Sequence, residues 1–180
     1  MNVDAAGWCE AARRIDSPNC DARPPDTKIS LLVIHNISLP PGKFGGPGVE
    51  QLFTNQLDPA AHPYYATIHS LRVSSHFFIR RDGELIQFVP CRQRAWHAGA
   101  SSWRGLERCN DFSIGVELEG SDYQPFSDAQ YEQLNGLIQS LRAAYPSLTD
   151  VAGHSDIAPG RKTDPGPYFD WSRVQQPLIP

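Results

Sequence analysis

The sequence predicts one domain, residues 1–180, in which a β-sheet carries helices on at least one face, an α/β or mixed α+β fold. Three observations lead to this prediction. The chain has 180 residues, of which 40% are hydrophobic, and this suits a single domain with one sizeable core. Several short apolar runs have the length of strands. One longer segment repeats its apolar residues at helical spacing.

Two strands are predicted from apolar patterning. Residues 29–37 are nearly all apolar or β-branched up to His35, which is typical of a strand buried on both faces. Residues 112–118 alternate between two faces instead. One of these faces carries Ile114, Val116 and Leu118. The other carries Ser113, Gly115, Glu117 and Glu119.

A hairpin and a further short strand are predicted from turn residues. Residues 76–81 and 84–89 flank Asp82-Gly83, which predicts a two-residue loop. A type I′ turn would fit it, with positive φ at both central residues. Residues 151–153 form a short strand-like piece directly before His154.

The clearest helix begins after Ser127, because Gln130 follows it three residues later in the pattern of a capping box. Pro146 ends the segment. Its apolar positions are Tyr131, Leu134, Ile138, Leu141 and Tyr145. A second helix is predicted over part of residues 49–55, and a short one near Asp170.

Charge and composition exclude several classes of partner. The formal net charge is -4 and the pI is about 5.8, with no basic stripe, so we do not expect nucleic acid to bind. No segment approaches the roughly 20 apolar residues of a membrane span. The N-terminal residues lack the basic and apolar regions of a signal peptide. We therefore expect a cytoplasmic protein, and a monomer by default.

The four cysteines do not predict a metal site. Their spacing contains no CxxC pair and matches no zinc ribbon. In a reducing compartment we expect free thiols that pack as small apolar groups. The four are Cys9, Cys20, Cys91 and Cys109.

Two histidines and an aspartate are candidate metal ligands. His35 ends a predicted strand, His154 follows another, and Asp164 lies in a loop rich in proline and glycine. Two imidazoles and one carboxylate form a recurrent ligand set of catalytic zinc, which leaves a position open for water. No short spacing ties His35 to the other two residues, however. A core histidine at position 35 and a turn-forming Asp164 before Pro165 therefore remain alternatives.

Two charged residues are candidates for acid–base chemistry. Glu117 shares its strand face with Gly115, which predicts open space beside the carboxylate and suits a general base. The alternative is a solvated strand face, with which Glu119 also agrees. Lys162 lies two residues before Asp164, and an ammonium there would stabilise an oxyanion. Otherwise it is a surface lysine.

The remaining histidines are assigned to supporting roles. His76 shares a predicted hairpin face with apolar residues and Gln87, which favours a cleft wall or a contact behind the metal ligands. Trp96 and His97 form either a wall of the cleft or a core aromatic and a turn. His62 and His69 are expected to be structural or exposed.

Several stretches together resemble the motifs of the AmpD-type amidases, which cleave 1,6-anhydro-N-acetylmuramyl-L-alanine bonds in peptidoglycan recycling. The similarity is collinear over nearly the whole chain, and motifs of this length are far more specific than any single histidine. The stretches are residues 32–46, 75–83, 94–99, 109–120, 153–159 and 161–166.

The resemblance implies a fold like that of the peptidoglycan recognition proteins, with a mixed central sheet and helices packed mainly on one side. It implies one zinc ion held by His35, His154 and Asp164. It also implies that Glu117 is the general base and that Lys162 stabilises the transition state.

Further matching positions imply contacts with substrate, and one position departs from the family. Asn36, Trp96 and His97 match residues that line the cleft. Arg72 and Arg108 match positions expected to meet substrate carboxylates. Ser155 stands where family members often have cysteine; as a neighbour of a ligand, it is not expected to affect zinc. The full set is Asn36, Arg72, Trp96, His97 and Arg108.

The expected function is zinc-dependent hydrolysis of the amide between the muramic-acid lactyl group and L-alanine of a small muropeptide. Two alternatives share the same fold. One is an amidase that acts on intact peptidoglycan outside the cytoplasm. The other is a module that binds muropeptides without cutting them, in which a zinc ligand is usually replaced.

Overall fold

The computed structural model describes residues 1–174, so the last six residues of the predicted domain lie outside the described residues. Its strands are β1 (Arg13–Arg14), β2 (Cys20–Ala22), β3 (Leu31–Ile37), β4 (Phe77–Ile79), β5 (Leu85–Gln87), β6 (Gln93–Ala95), β7 (Ser102–Trp103), β8 (Leu106–Glu107), β9 (Ser113–Glu119) and β10 (Asp150–Gly153). Its α-helices are α1 (Gly48–Phe53), α2 (Pro63–Ile68), α3 (Asp128–Ala144) and α4 (His154–Ile157). Cys109–Asp111 and Trp171–Arg173 form 3₁₀ turns.

A mixed sheet forms the centre of the molecule, which confirms the predicted fold class. Its strand order is β1-β5-β4-β9-β3-β10. Strands β4, β9, β3 and β10 run parallel to their neighbours in this row, whereas β4 and β5 pair antiparallel. The carboxyl ends of β9, β3 and β10 therefore meet at one edge of the sheet.

The predicted hairpin is confirmed, but its turn type was wrong. Strand β4 pairs with β5, and Ile79 lies opposite Leu85. Gly83 has φ of 90°, whereas Asp82 is not among the residues with positive φ. The Gly83 amide donates to the Arg80 carbonyl at 3.0 Å. The loop is therefore longer by one residue, a tight turn followed by a left-handed glycine, in which only the glycine needs positive φ.

The two faces of the sheet are covered differently. The 17-residue helix α3 packs over one face, and its Leu134, Ile138 and Leu141 join sheet residues in the largest apolar cluster. The predicted capping box is present, because Gln130 and Ser127 bond each other's backbone amides. Loops and the short helices α1, α2 and α4 cover the other face.

Several short elements were not predicted. Helix α2 has Pro63 at its first position, and His62 Nδ1 accepts a hydrogen bond from the Tyr64 amide at 3.1 Å. This confirms the structural role predicted for His62. Proline at this position is a recognised start of a helix, but six residues are too few to show a helical repeat. Among residues 1–174, no helix combines the length and the apolar character needed to cross a bilayer.

Candidate active site

The candidate site lies where three parallel strands end. His35 on β3 is the register partner of Glu117 on β9, and His154 directly follows β10. The loop after α4 returns Asp164 to the same place, where its carbonyl accepts a hydrogen bond from the Ser155 amide at 2.9 Å. Ligand sites commonly form beyond the carboxyl ends of parallel strands, because loops and strand ends leave a crevice there.

The three predicted metal ligands converge on one point. His35 Nδ1 lies 2.9 Å from His154 Nδ1 and 3.0 Å from Asp164 Oδ2. His154 Nδ1 lies 3.0 Å from the same carboxylate oxygen. Both histidines are buried. His154 and Asp164 follow His35 by 119 and 129 positions in the sequence, so no sequence spacing indicated that the three would meet.

The hydrogen bonds around His154 leave its Nδ1 free to act as a ligand. Nε2 lies 3.1 Å from the Ala98 carbonyl oxygen, which only accepts, so Nε2 carries the proton. His154 Nδ1 therefore faces Asp164 Oδ2 and His35 Nδ1. The three ligand atoms lie close enough together to hold one metal ion. The donor set of two imidazoles and one carboxylate fits zinc.

The electrostatics of the ligands agree with this fit. Burial, offset only in part by the contact with Asp164, lowers the pKa of His35 to about 4. His35 is therefore neutral, which is the form of imidazole that can bind a metal. Burial raises the pKa of the Asp164 carboxyl, but its contacts with His154 and His35 outweigh burial and hold that pKa below the usual range.

Glu117 is buried and lacks a partner for one oxygen. Its side chain lines the cavity, yet Oε2 has no hydrogen-bond partner. Burial raises the pKa of this carboxyl well above its usual range, and the charge of Asp164 raises it further, against the opposing charge of Lys162. Glu119, on the same strand face, accepts hydrogen bonds from the Gly45 amide and the Arg81 amide instead. The predicted alternative of a solvated face was therefore wrong.

The space over Gly115 is filled, contrary to the prediction, although Glu117 itself faces the open cavity. A Cβ built on Gly115 would lie 2.6 Å from Cγ of His97. The glycine makes room for an imidazole ring. His97 Nδ1 lies 2.9 Å from His35 Nε2, and His97 Nε2 lies 3.2 Å from Ser113 Oγ.

The cavity in front of these residues has a volume of about 710 Å³. Trp96, His97 and Lys162 line it, as predicted, and Lys162 is exposed. Asn36 also lines it, but its amide donates to Asp122 Oδ1 at 2.7 Å and to the Pro165 carbonyl at 3.0 Å. Asn36 therefore also fastens the loop that carries Asp164.

The two predicted substrate arginines lie outside this cavity. The Arg72 guanidinium folds back toward carbonyls of its own loop, at 3.3 Å from Ser70. Arg108 is paired with Asp111 at 3.3 Å and borders a separate depression beside β7 and β8. Neither is among the residues that line the main cavity.

His76 lies behind the site, as predicted, rather than among the ligands. Its Nδ1 accepts a hydrogen bond from the Gly115 amide at 3.0 Å, and its Nε2 lies 3.0 Å from the Gln93 carbonyl. Burial and, to a lesser extent, the charge of Arg23 lower the pKa of His76 to about 3. The ring is therefore neutral and supports the backbone of β9 where His97 packs.

Sequence reasoning missed two residues that shape the site. Asp122 accepts hydrogen bonds from Asn36 and from the Thr163 hydroxyl, and so joins β3 to the loop of Asp164. Arg161 donates to the Ala98 carbonyl at 2.6 Å, the same oxygen that His154 contacts. Both residues form hydrogen bonds with residues that are distant in the sequence, and a local sequence pattern cannot predict such contacts.

Known proteins are similar to this chain in sequence and in fold. Residues 25–167 match the family described as Amidase_2, N-acetylmuramoyl-L-alanine amidase. The 1,6-anhydro-N-acetylmuramyl-L-alanine amidase AmpD of Salmonella typhimurium (strain SL1344) is 60% identical over 94% of this chain and 91% of its own length.

Two solved structures extend the comparison. A crystal structure of a Se-Met AmpD derivative has a TM-score of 0.94 and 57% identity, covering 97% of this chain and 100% of that chain. The amidase AmiD from E. coli, in complex with the substrate anhydro-N-acetylmuramic acid-L-Ala-D-gamma-Glu-L-Lys, has a TM-score of 0.60 and 32% identity, covering 95% and 63%. By family match, identity and coverage, the chain belongs to the N-acetylmuramoyl-L-alanine amidase family, within which it is of the AmpD type.

Proposed function

We propose that this amidase is zinc-dependent and hydrolyses the amide between the lactyl group of 1,6-anhydro-N-acetylmuramic acid and L-alanine in small muropeptides. The observation that carries the proposal is the convergence of His35 Nδ1, His154 Nδ1 and Asp164 Oδ2 in front of an unpartnered Glu117 oxygen. The sugar requirement is taken from the names of the AmpD relatives.

His35, His154 and Asp164 would hold one zinc ion. When bound, zinc supplies a Lewis acid that polarises a carbonyl oxygen and makes water more acidic. Both imidazoles that would hold the ion are buried.

Glu117 acts as the general base. It accepts a proton from the attacking water and then donates a proton to the alanine nitrogen as the amide bond breaks. Burial raises the pKa of Glu117, which favours holding the proton between these two steps. The Lys162 ammonium, on the wall of the same cavity, stabilises the oxyanion that develops on the carbonyl oxygen.

The cavity volume of about 710 Å³ falls within the range of about 300–1,000 Å³ that suits one small ligand. A cavity of this size accommodates a small muropeptide. We further propose that the protein acts in the cytoplasm on muropeptides that return for recycling, and as a monomer. Arg72, which lies between the cavity-lining Leu71 and Val73, would meet a stem carboxylate after rotating toward the cavity, whereas Arg108 borders the separate depression.

The test is mass spectrometry of a 1,6-anhydro muropeptide incubated with the purified protein, with and without a chelator. We expect release of the intact peptide stem, lost on chelation and restored by zinc. Intact sacculi serve as the second substrate. Faster release from sacculi would favour the enzyme of intact peptidoglycan. Zinc-loaded protein that leaves both substrates uncut would favour a binding module.

A further inference from the structure

The imidazole of His97 lies between a predicted zinc ligand and strand β9. Its Nδ1 is 2.9 Å from His35 Nε2, and its Nε2 is 3.2 Å from Ser113 Oγ. The ring occupies the space that Gly115 leaves free, since a Cβ there would lie 2.6 Å from the ring. Gly115 and Ser113 therefore hold the His97 ring in place behind His35.

The hydrogen positions in this contact can be deduced by starting from Ser113, the residue farthest from His35. Ser113 Oγ lies 2.6 Å from the Cys109 carbonyl oxygen, which only accepts, so the hydroxyl proton points there. The hydroxyl oxygen then accepts from His97 Nε2–H. A neutral His97 with a proton on Nε2 has a lone pair on Nδ1, which accepts from His35 Nε2–H. His35 Nδ1 is left without a proton, facing Asp164.

We propose that His97 is a positioning residue, which fixes the tautomer and ring orientation of His35 so that Nδ1 is its ligand atom. The proposal rests on the zinc site of the proposed function. The same task is performed for His154 by a backbone group, the Ala98 carbonyl, from the residue next to His97. One short segment therefore orients both histidines.

This assignment differs from the contact with substrate that the family resemblance implied for His97. The ring lines the cavity, as the resemblance implied, but both of its nitrogens already have partners within the protein, His35 and Ser113. The backbone of His97 and Ala98 is held in place by Asn110. Both amides donate to Asn110 Oδ1, at 3.1 Å and 2.8 Å. The rigidity of this backbone is what a positioning role requires.

The test compares His97→Phe with His97→Asn. Phenylalanine fills the space but offers no acceptor, whereas the Asn Oδ1 stands near the position of the imidazole Nδ1. Zinc affinity is measured by competition with a chelator, in protein whose thermal unfolding shows that it is folded. We expect His97→Phe to weaken zinc binding about 10–100-fold, the usual effect of removing a partner of a ligand. We expect His97→Asn to recover most of that loss.

A second measurement reports the tautomer of His35 directly. In metal-free protein, ¹⁵N NMR distinguishes a ring protonated at Nε2 from one protonated at Nδ1. We expect only the Nε2–H form of His35 in the wild type and a mixture in His97→Phe. Ser113→Ala should produce a smaller shift in the same direction, because it removes the acceptor for His97 alone. His69→Phe, at an exposed histidine, is the control and should change neither quantity.

The proposal fails if His97→Phe binds zinc as tightly as the wild type, or if His35 keeps a single Nε2–H tautomer in that variant. This failure is distinct from failure of the proposed function. A wild type that binds zinc but leaves muropeptides uncut would refute the amidase mechanism and leave the role of His97 intact.

Discussion

On strand β9, Ile114, Val116 and Leu118 point into the core beneath helix α3, whereas Glu117 and Glu119 point to the face that carries the candidate site. All of these residues are buried. The two faces therefore differ in chemistry rather than in exposure. The apolar face contributes stability through packing. The polar face carries buried carboxylates, which are costly to remove from water and are therefore rare in a hydrophobic core. Variants on each face should separate the two contributions.

The largest effect is expected for Asp164→Ala. The change removes one ligand of the converging set, so zinc content after dialysis should fall to trace levels, as metal analysis would measure. Turnover should fall by about 10³-fold or more, since the lost Lewis acid supplies several kcal/mol. Ser155→Cys, beside His154, is the control and should keep its zinc. Full zinc occupancy in Asp164→Ala would refute the ligand set.

Glu117→Gln should separate chemistry from metal binding. The variant cannot accept a proton, so kcat should fall about 10²–10⁴-fold while zinc content stays at the wild-type value. Glu119→Gln is the matched control on the same strand face. It should lose stability, because Glu119 binds two backbone amides, but should keep most turnover. Normal turnover in Glu117→Gln would remove Glu117 from the mechanism.

Leu134→Ala tests the apolar face. Leu134 is fully buried in α3, and its truncation should cost about 2–5 kcal/mol of unfolding free energy, as measured by denaturant titration. Zinc affinity should not change. The exposed Glu132→Ala on the same helix should alter stability by no more than about 0.5 kcal/mol. A loss of zinc in folded Leu134→Ala would show that the two faces are not independent.

The smallest effect concerns Glu117 and pH in the metal-free protein. Burial, reinforced by Asp164, raises the folded-state pKa of Glu117, so its contribution to stability is full below the unfolded pKa and is lost as pH rises through the folded value. Glu117→Gln cannot ionise, so its Tm should exceed that of the wild type increasingly toward high pH. The two proteins should converge near pH 4. An equal difference at every pH would contradict the raised pKa.

The sequence was informative where a pattern is local. The buried strand ending near His35, the capping box at Ser127 and the alternation of β9 are all present. The type I′ turn was wrong because loop length depends on register, which Asp82-Gly83 alone does not specify. Short strands such as β1 and β7 contain two residues, too few to show any period.

The candidate site was only partly predictable from the residues themselves. Residue types made His35, His154 and Asp164 candidates, but their convergence depends on strand order and on a long loop. The interpretation of Gly115 as open space was wrong, because nothing nearby in the sequence indicates that His97 fills it. Alternation identified the polar face of β9 correctly, yet it carries no information about which loops cover that face.

The most direct test of a metal-dependent site on the polar face is zinc titration of chelator-treated protein, followed by release of the peptide stem from a 1,6-anhydro muropeptide. We predict no release without metal, a linear rise to one zinc per chain and a plateau thereafter. Full activity in protein shown to contain no metal, or no zinc binding at all, would contradict the account.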